Sequence, residues 1–105
     1  MKLSELKEKL ELKNITEYFD GEREITGCYI GDLLSWVMSR AEEGNVWITV
    51  QTNLNIIAVA SLTDCSCIII PENIELDSQT VKKADMQNIT ILSSSKTGYE
   101  LAKLI

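Results

Sequence analysis

Three polar runs in this chain carry the residue types that hold a phosphate or a ribose. They are Thr26-Gly27 with the later Gly31-Asp32; Gln51, Thr52, Asn53 and Asn55; and Ser93, Ser94, Ser95, Lys96, Thr97 and Gly98. Hydroxyls and amides offer hydrogen bonds, glycines admit close backbone approach to an anion, and Lys96 adds a positive charge. The same residues serve helix starts and turns with no ligand present. What favours a ligand is their coincidence at one edge of a sheet.

The run SSSKTG matches only the tail of a P-loop, lacking the leading glycine and the spacing that wraps N–H groups around a phosphate chain. Gly27 and Gly31 have no third glycine at the dinucleotide-fingerprint spacing, so no Rossmann cofactor site is expected. The chain has no histidine, which removes the usual base for a Ser or Cys nucleophile; Lys96 or Ser94 would have to act without a partner. Cys65 and Cys67 form Cys-x-Cys, and with Cys28 they make three thiols, short of a four-ligand zinc site. Buried or half-buried thiols are the expected account. Glu22, Glu24, Glu42, Glu43, Glu72 and Glu75 fall in turns and helix ends, where a solvated face explains them. No catalytic residue, metal or cofactor is expected, and the chain is not expected to be an enzyme.

The elements that position these residues alternate. Leu3, Leu6 and Leu10 predict a short amphipathic helix over Leu3 to Leu12, with Ser4 as its N-cap. Lys13 to Asp20 reads as a strand, as does Ile25 to Ile30. Leu33, Leu34, Val37 and Met38 predict a helix buried on one face and closed by Gly44-Asn45. Strands follow at Val46 to Gln51, Cys67 to Ile70 and Ile89 to Leu92, and helices at Ile56 to Leu62 and from Asp77 or Ser78 to Met86. A last helix opens on a capping box, Thr97 and Glu100, with Tyr99, Leu101, Ala102 and Leu104 as its apolar side. Short, uniformly apolar strands between helices of roughly 10 residues imply an α/β fold with a small, mostly parallel sheet covered by helices.

At 105 residues, 45% of them hydrophobic and 25% charged, the chain reads as one globular domain spanning residues 1–105. No apolar run approaches the ~20 residues of a membrane helix. The opening MKLSELKEKLEL lacks the apolar core of a secretory signal, so a cytoplasmic location is expected. A net charge of -6 disfavours nucleic acid as a partner, while a local lysine or arginine still suits a small anion.

Glu22-Arg23-x-x-Thr26-Gly27, the following YIGDLL, the run WITVQTNLNIIAVASL and the late ILSSSKTGYELA together resemble the DRTGG domain family over nearly the whole chain. The acid of the motif is Glu22, two residues separate Arg23 from Thr26, and Cys28 stands where the second glycine would be. The resemblance implies a small α/β sandwich similar to the N-terminal domain of HPr kinase/phosphorylase. It also implies a regulatory or dimer-forming module without chemistry of its own. Glu22, Arg23, Thr26 and Gly27 are then expected to fix a tight backbone path and a polar network. The expected function is a non-catalytic homodimeric module that senses an adenine nucleotide or other small anion at the strand carboxyl ends. The alternative is a docking subunit for a separate enzyme, with no ligand of its own. Trp36, Met38 and Tyr99 are the expected interface residues.

Overall fold

The computed structural model describes residues 1–105. Four parallel strands, β2 (Gly27–Ile30), β3 (Asn45–Ile48), β4 (Cys67–Ile70) and β5 (Ile91–Ser93), form the sheet, and β1 (Lys13–Asn14) adds an antiparallel edge beside β5. The strand order is β1-β5-β4-β3-β2, so β1 and β2 are its two edges. Helices α1 (Leu3–Lys9), α2 (Leu34–Arg40), α3 (Asn55–Thr63), α4 (Ser78–Met86) and α5 (Gly98–Leu104) cover both faces.

Side chains along a strand point alternately to opposite faces, which divides the core in two. Trp47, Ile68, Ile70 and Ile91 face Val37 of α2, Ile56, Ile57 and Ala60 of α3, and Ala84 of α4. Val46, Ile48, Cys67, Ile69 and Leu92 face Leu3 and Leu6 of α1 and Leu101 of α5. The central strands β3 and β4 are buried at every residue, as a parallel sheet covered on both sides requires.

The fold class agrees with the expectation; several boundaries do not. Only Lys13–Asn14 of the expected strand Lys13 to Asp20 pairs. The Thr16 hydroxyl takes the Ile91 N–H at 3.0 Å, and that side-chain substitution ends the ladder. Helix α1 is capped at Lys2, not Ser4, because the Leu3 and Ser4 N–H groups donate to the carbonyls of Arg23 and Gly21. It stops at Lys9 because Glu11 adopts a left-handed conformation, φ 56°. Helix α2 ends at Arg40, and Asn45, expected to close it, opens β3 instead. Pairing starts at Gly27 in β2 and stops at Ile48 in β3, two and three residues inside the expected strands, and β5 is shifted to Ile91–Ser93. Of the expected buried face of α2, Val37 is buried, Leu34 partly so, and Leu33 and Met38 are exposed, because α2 covers the sheet edge with a neighbour, α3, on one flank. Tyr99, assigned to the apolar side of α5, is 74% exposed.

Candidate functional site

The strand carboxyl ends are lashed together by the polar residues that the sequence singles out. At the end of β2, the Gly31 carbonyl accepts the Trp47 Nε1–H at 2.9 Å. Asp32 Oδ1 accepts from the buried Thr49 hydroxyl at 2.8 Å and from the Val50 N–H at 2.9 Å, and the Gln51 amide donates to the Asp32 carbonyl at 3.3 Å. Asp32 is thus a staple between the β2 and β3 loops. Asn53 Oδ1 accepts the Asn55 N–H at 2.8 Å and shapes the start of α3.

The other loop is built the same way. Buried Ser94 accepts the Lys96 N–H at 3.0 Å, its N–H donates to Ile70, and the Ser94 and Lys96 carbonyls accept from Asn73 and Glu72. Thr97 and Glu100 form the expected capping box, at 3.2 and 3.0 Å. Those hydrogen bonds from Thr97 hold the Glu100 carboxyl below its ordinary pKa. A Cβ on Gly98 would lie 3.9 Å from Ile48 Cγ2, so the start of α5 sits beside the end of β3. The third run therefore starts α5 beside the end of β3, from which the second run leaves, whereas Asn55 and Ser93 line separate surface grooves. The fold leaves Thr52, the Asn55 amide, Ser93 and the Lys96 ammonium without a side-chain hydrogen bond or ion pair in the chain.

The Glu22, Arg23, Thr26, Gly27 motif lies at the opposite, amino ends of the strands. Arg23 donates to the Asp64 carboxylate at 3.2 Å and to its carbonyl at 2.8 Å, and this bonding keeps the guanidinium more firmly protonated than usual. Asp64 is the left-handed residue that ends α3, φ 52°, so Arg23 closes the helix carboxyl end. Glu22 binds Lys2 at 2.7 Å. The Thr26 hydroxyl donates to the Glu43 carbonyl at 2.7 Å and accepts from Asn45 at 3.1 Å. Gly27 lies with its Cβ position 3.3 Å from that same Asn45 amide. The motif is a tie between α1, α3 and the β2–β3 entry.

Beside Arg23 is a polar recess of about 150 Å³ lined by Tyr18, Asp20, Asp64, Ser66, Asn88 and Thr90. The Thr90 hydroxyl has no partner within the chain. A recess of that size and polarity suits a few ordered waters. The sequence reading missed Thr49, Asp64 and Thr90, because each matters only through a residue distant in the chain.

Cys65 and Cys67 belong to opposite faces of the sheet, one in each core. Burial pushes the Cys65 thiol up to about 12 and Cys67 well above its ordinary value. No cluster of three thiols or carboxylates is placed to hold a metal ion. Trp36 and Met38 lie on α2 and Tyr99 on α5, which cover opposite faces, so these three side chains form no single patch.

No protein-family model matches the chain, and no curated protein matches it. Among solved structures, it is similar to the CBS and DRTGG domains of the regulatory region of Clostridium perfringens pyrophosphatase, complexed with the activator diadenosine tetraphosphate. The TM-score is 0.73 at 15% identity, covering 98% of this chain and 45% of that one. The fold is DRTGG-like. At such low identity the likeness concerns backbone architecture, and this chain spans less than half of that structure's length. No helix of the DRTGG-like fold is long and apolar enough to cross a membrane.

Proposed function

We propose that this chain is a non-catalytic, homodimeric regulatory module that senses an adenine nucleotide or another small anion at the carboxyl ends of its strands. The observation that carries the reading is the match of 98% of the chain to a regulatory region in complex with a nucleotide activator. The site supports it in kind: uncommitted Lys96 and Thr52 lie in loops braced by Asp32, Thr49 and Ser94, while uncommitted Asn55 opens α3 and Ser93 closes β5.

The test is the melting temperature against adenine and guanine nucleotides and diadenosine tetraphosphate, with and without Mg²⁺. A nucleotide at 100 times its dissociation constant adds about 2.7 kcal/mol, a rise of several degrees for a domain of this size. Lys96→Ala combined with Thr52→Ala is expected to abolish the shift; Asn53 is spared because its side chain shapes the start of α3. A flat response to every nucleotide, and to inorganic phosphate and pyrophosphate run beside them, removes the ligand reading. It would favour the alternative, a docking subunit for a separate enzyme, for which the 53% exposure of Trp36 is the supporting observation.

A further inference from the structure

The two edges of the sheet differ. Edge β1 is two residues long, polar and headed by Lys13, a combination that blunts strand addition. Edge β2 reads Gly27-Cys28-Tyr29-Ile30, with no charge and no proline. Ile30 is 52% exposed and Cys28 is exposed, although their register partners Ile48 and Val46 are buried on the α1/α5 face. The Gly31 N–H donates inward to the Ile48 carbonyl. In a parallel ladder alternate residues point their N–H and C=O the same way, so Gly31 and Tyr29 serve β3 while Cys28 and Ile30 aim theirs at the open edge.

Helix α2 extends this edge. Leu34 and Ala41 pack into the core beside α3, which places Leu33, Trp36 and Arg40 on the other flank, above the open side of β2. Leu33 is 61% exposed, and Arg40 stacks on the Trp36 ring at 4.1 Å. Arg40 forms no ion pair within the chain.

We propose that β2 pairs antiparallel with β2 of a second copy about a two-fold axis through Tyr29, joining two five-stranded sheets into one. The edge is self-complementary in that register. Cys28 meets the partner's Ile30, and each pair exchanges two backbone hydrogen bonds, so all four outward donors and acceptors are satisfied. The antiparallel relation turns the Asp32 end of one copy toward the Arg40 end of the other, so the charges that flank the apolar stripe are opposite in sign. A helix along the β2–β3 seam then sits about 10 Å from its symmetry mate, the usual helix-packing distance, with Trp36 and Leu33 between them. A second copy fits better than an unrelated partner because strand, stripe and charge order all match their own image.

This pairing rests on the dimeric part of the proposed function and is independent of its ligand part. The experiment is therefore run without nucleotide. Light scattering after size exclusion is expected to give twice the 11.8 kDa chain mass for the wild type. Ile30→Lys is expected to give the monomer mass with an unchanged circular dichroism spectrum. Ile30→Cys places its thiol opposite the partner's native Cys28, at a Cα separation of about 5.5 Å that suits a disulfide. Mild oxidation should convert it to a covalent dimer, and Cys28→Ser in the same chain should prevent this. A wild type that stays monomeric up to millimolar concentration overturns the proposal. So does a dimer that survives Ile30→Lys and gives no Cys28-dependent cross-link, which would place the contact on another face.

Discussion

Arg23 and Cys65 show how far single side chains decide the behaviour of this protein. Arg23 reaches Asp64 twice, with side chains 28% and 58% exposed. Arg23→Leu is expected to destabilise the fold by about 1 to 2 kcal/mol, the low end for charged hydrogen bonds because solvent screens the pair. A shifted urea midpoint with an unchanged slope checks this. Asp64→Asn keeps the carbonyl contact and should lose less. For Cys65, the native state retains its proton up to about pH 12, whereas the unfolded thiol releases it near 9.0. More protons are then bound in the native state, so stability falls as pH rises through that window, by about 1.4 kcal/mol per pH unit for each buried thiol. Cys65→Ala is expected to start lower at neutral pH and decline less steeply between pH 9.0 and about 12. Parallel denaturation curves for the two proteins would show that the thiol titrates normally.

Elements succeed or fail on how local their stop signals are. Asp77 accepts the Thr80 N–H at 2.7 Å at the start of α4, and these backbone bonds hold its carboxyl below 3.8. A lowered pKa means stability that is present above the unfolded value and is lost as pH falls through the folded one. Asp77→Ala should therefore lower the melting temperature at pH 7, and the gap to wild type should close below pH 3.8, whereas a constant gap would argue for lost packing. This cap and the Thr97–Glu100 box were legible in the sequence because donor and acceptor lie three residues apart. The alternation of strands and helices was legible for a similar reason, through continuous apolar runs. The start of α1 was not, since its first N–H groups use carbonyls near Arg23, and the end of β1 depends on Thr16 meeting Ile91 from 75 residues away. At the carboxyl ends the sequence showed a concentration of polar residue types, but which of them were tied up within the chain was hidden. Asp32 is tied to Thr49 by a hydrogen bond that no spacing rule suggests, while Lys96 is left open.

At the scale of the molecule, total charge sets a condition on association that the apolar edge alone would not. Each copy carries a net charge of -6 within a body about 28 Å across. Two such charges at that separation repel by about 5 kcal/mol in unscreened water. With a Debye length of about 30 Å at 0.01 M salt, roughly 2 kcal/mol of this survives, and at 0.15 M it falls to about 0.2 kcal/mol. An Asp32–Arg40 pair at the rim works in the opposite sense but is worth less than about 1 kcal/mol when exposed. Repulsion therefore wins at low salt, and the dimer is expected to tighten by roughly 10-fold or more between 0.01 M and 0.15 M salt. Sedimentation equilibrium at the two ionic strengths measures this directly. Affinity that falls as salt is added would mean that ion pairs, and not the edge of β2 with its flanking Trp36, hold the two copies together.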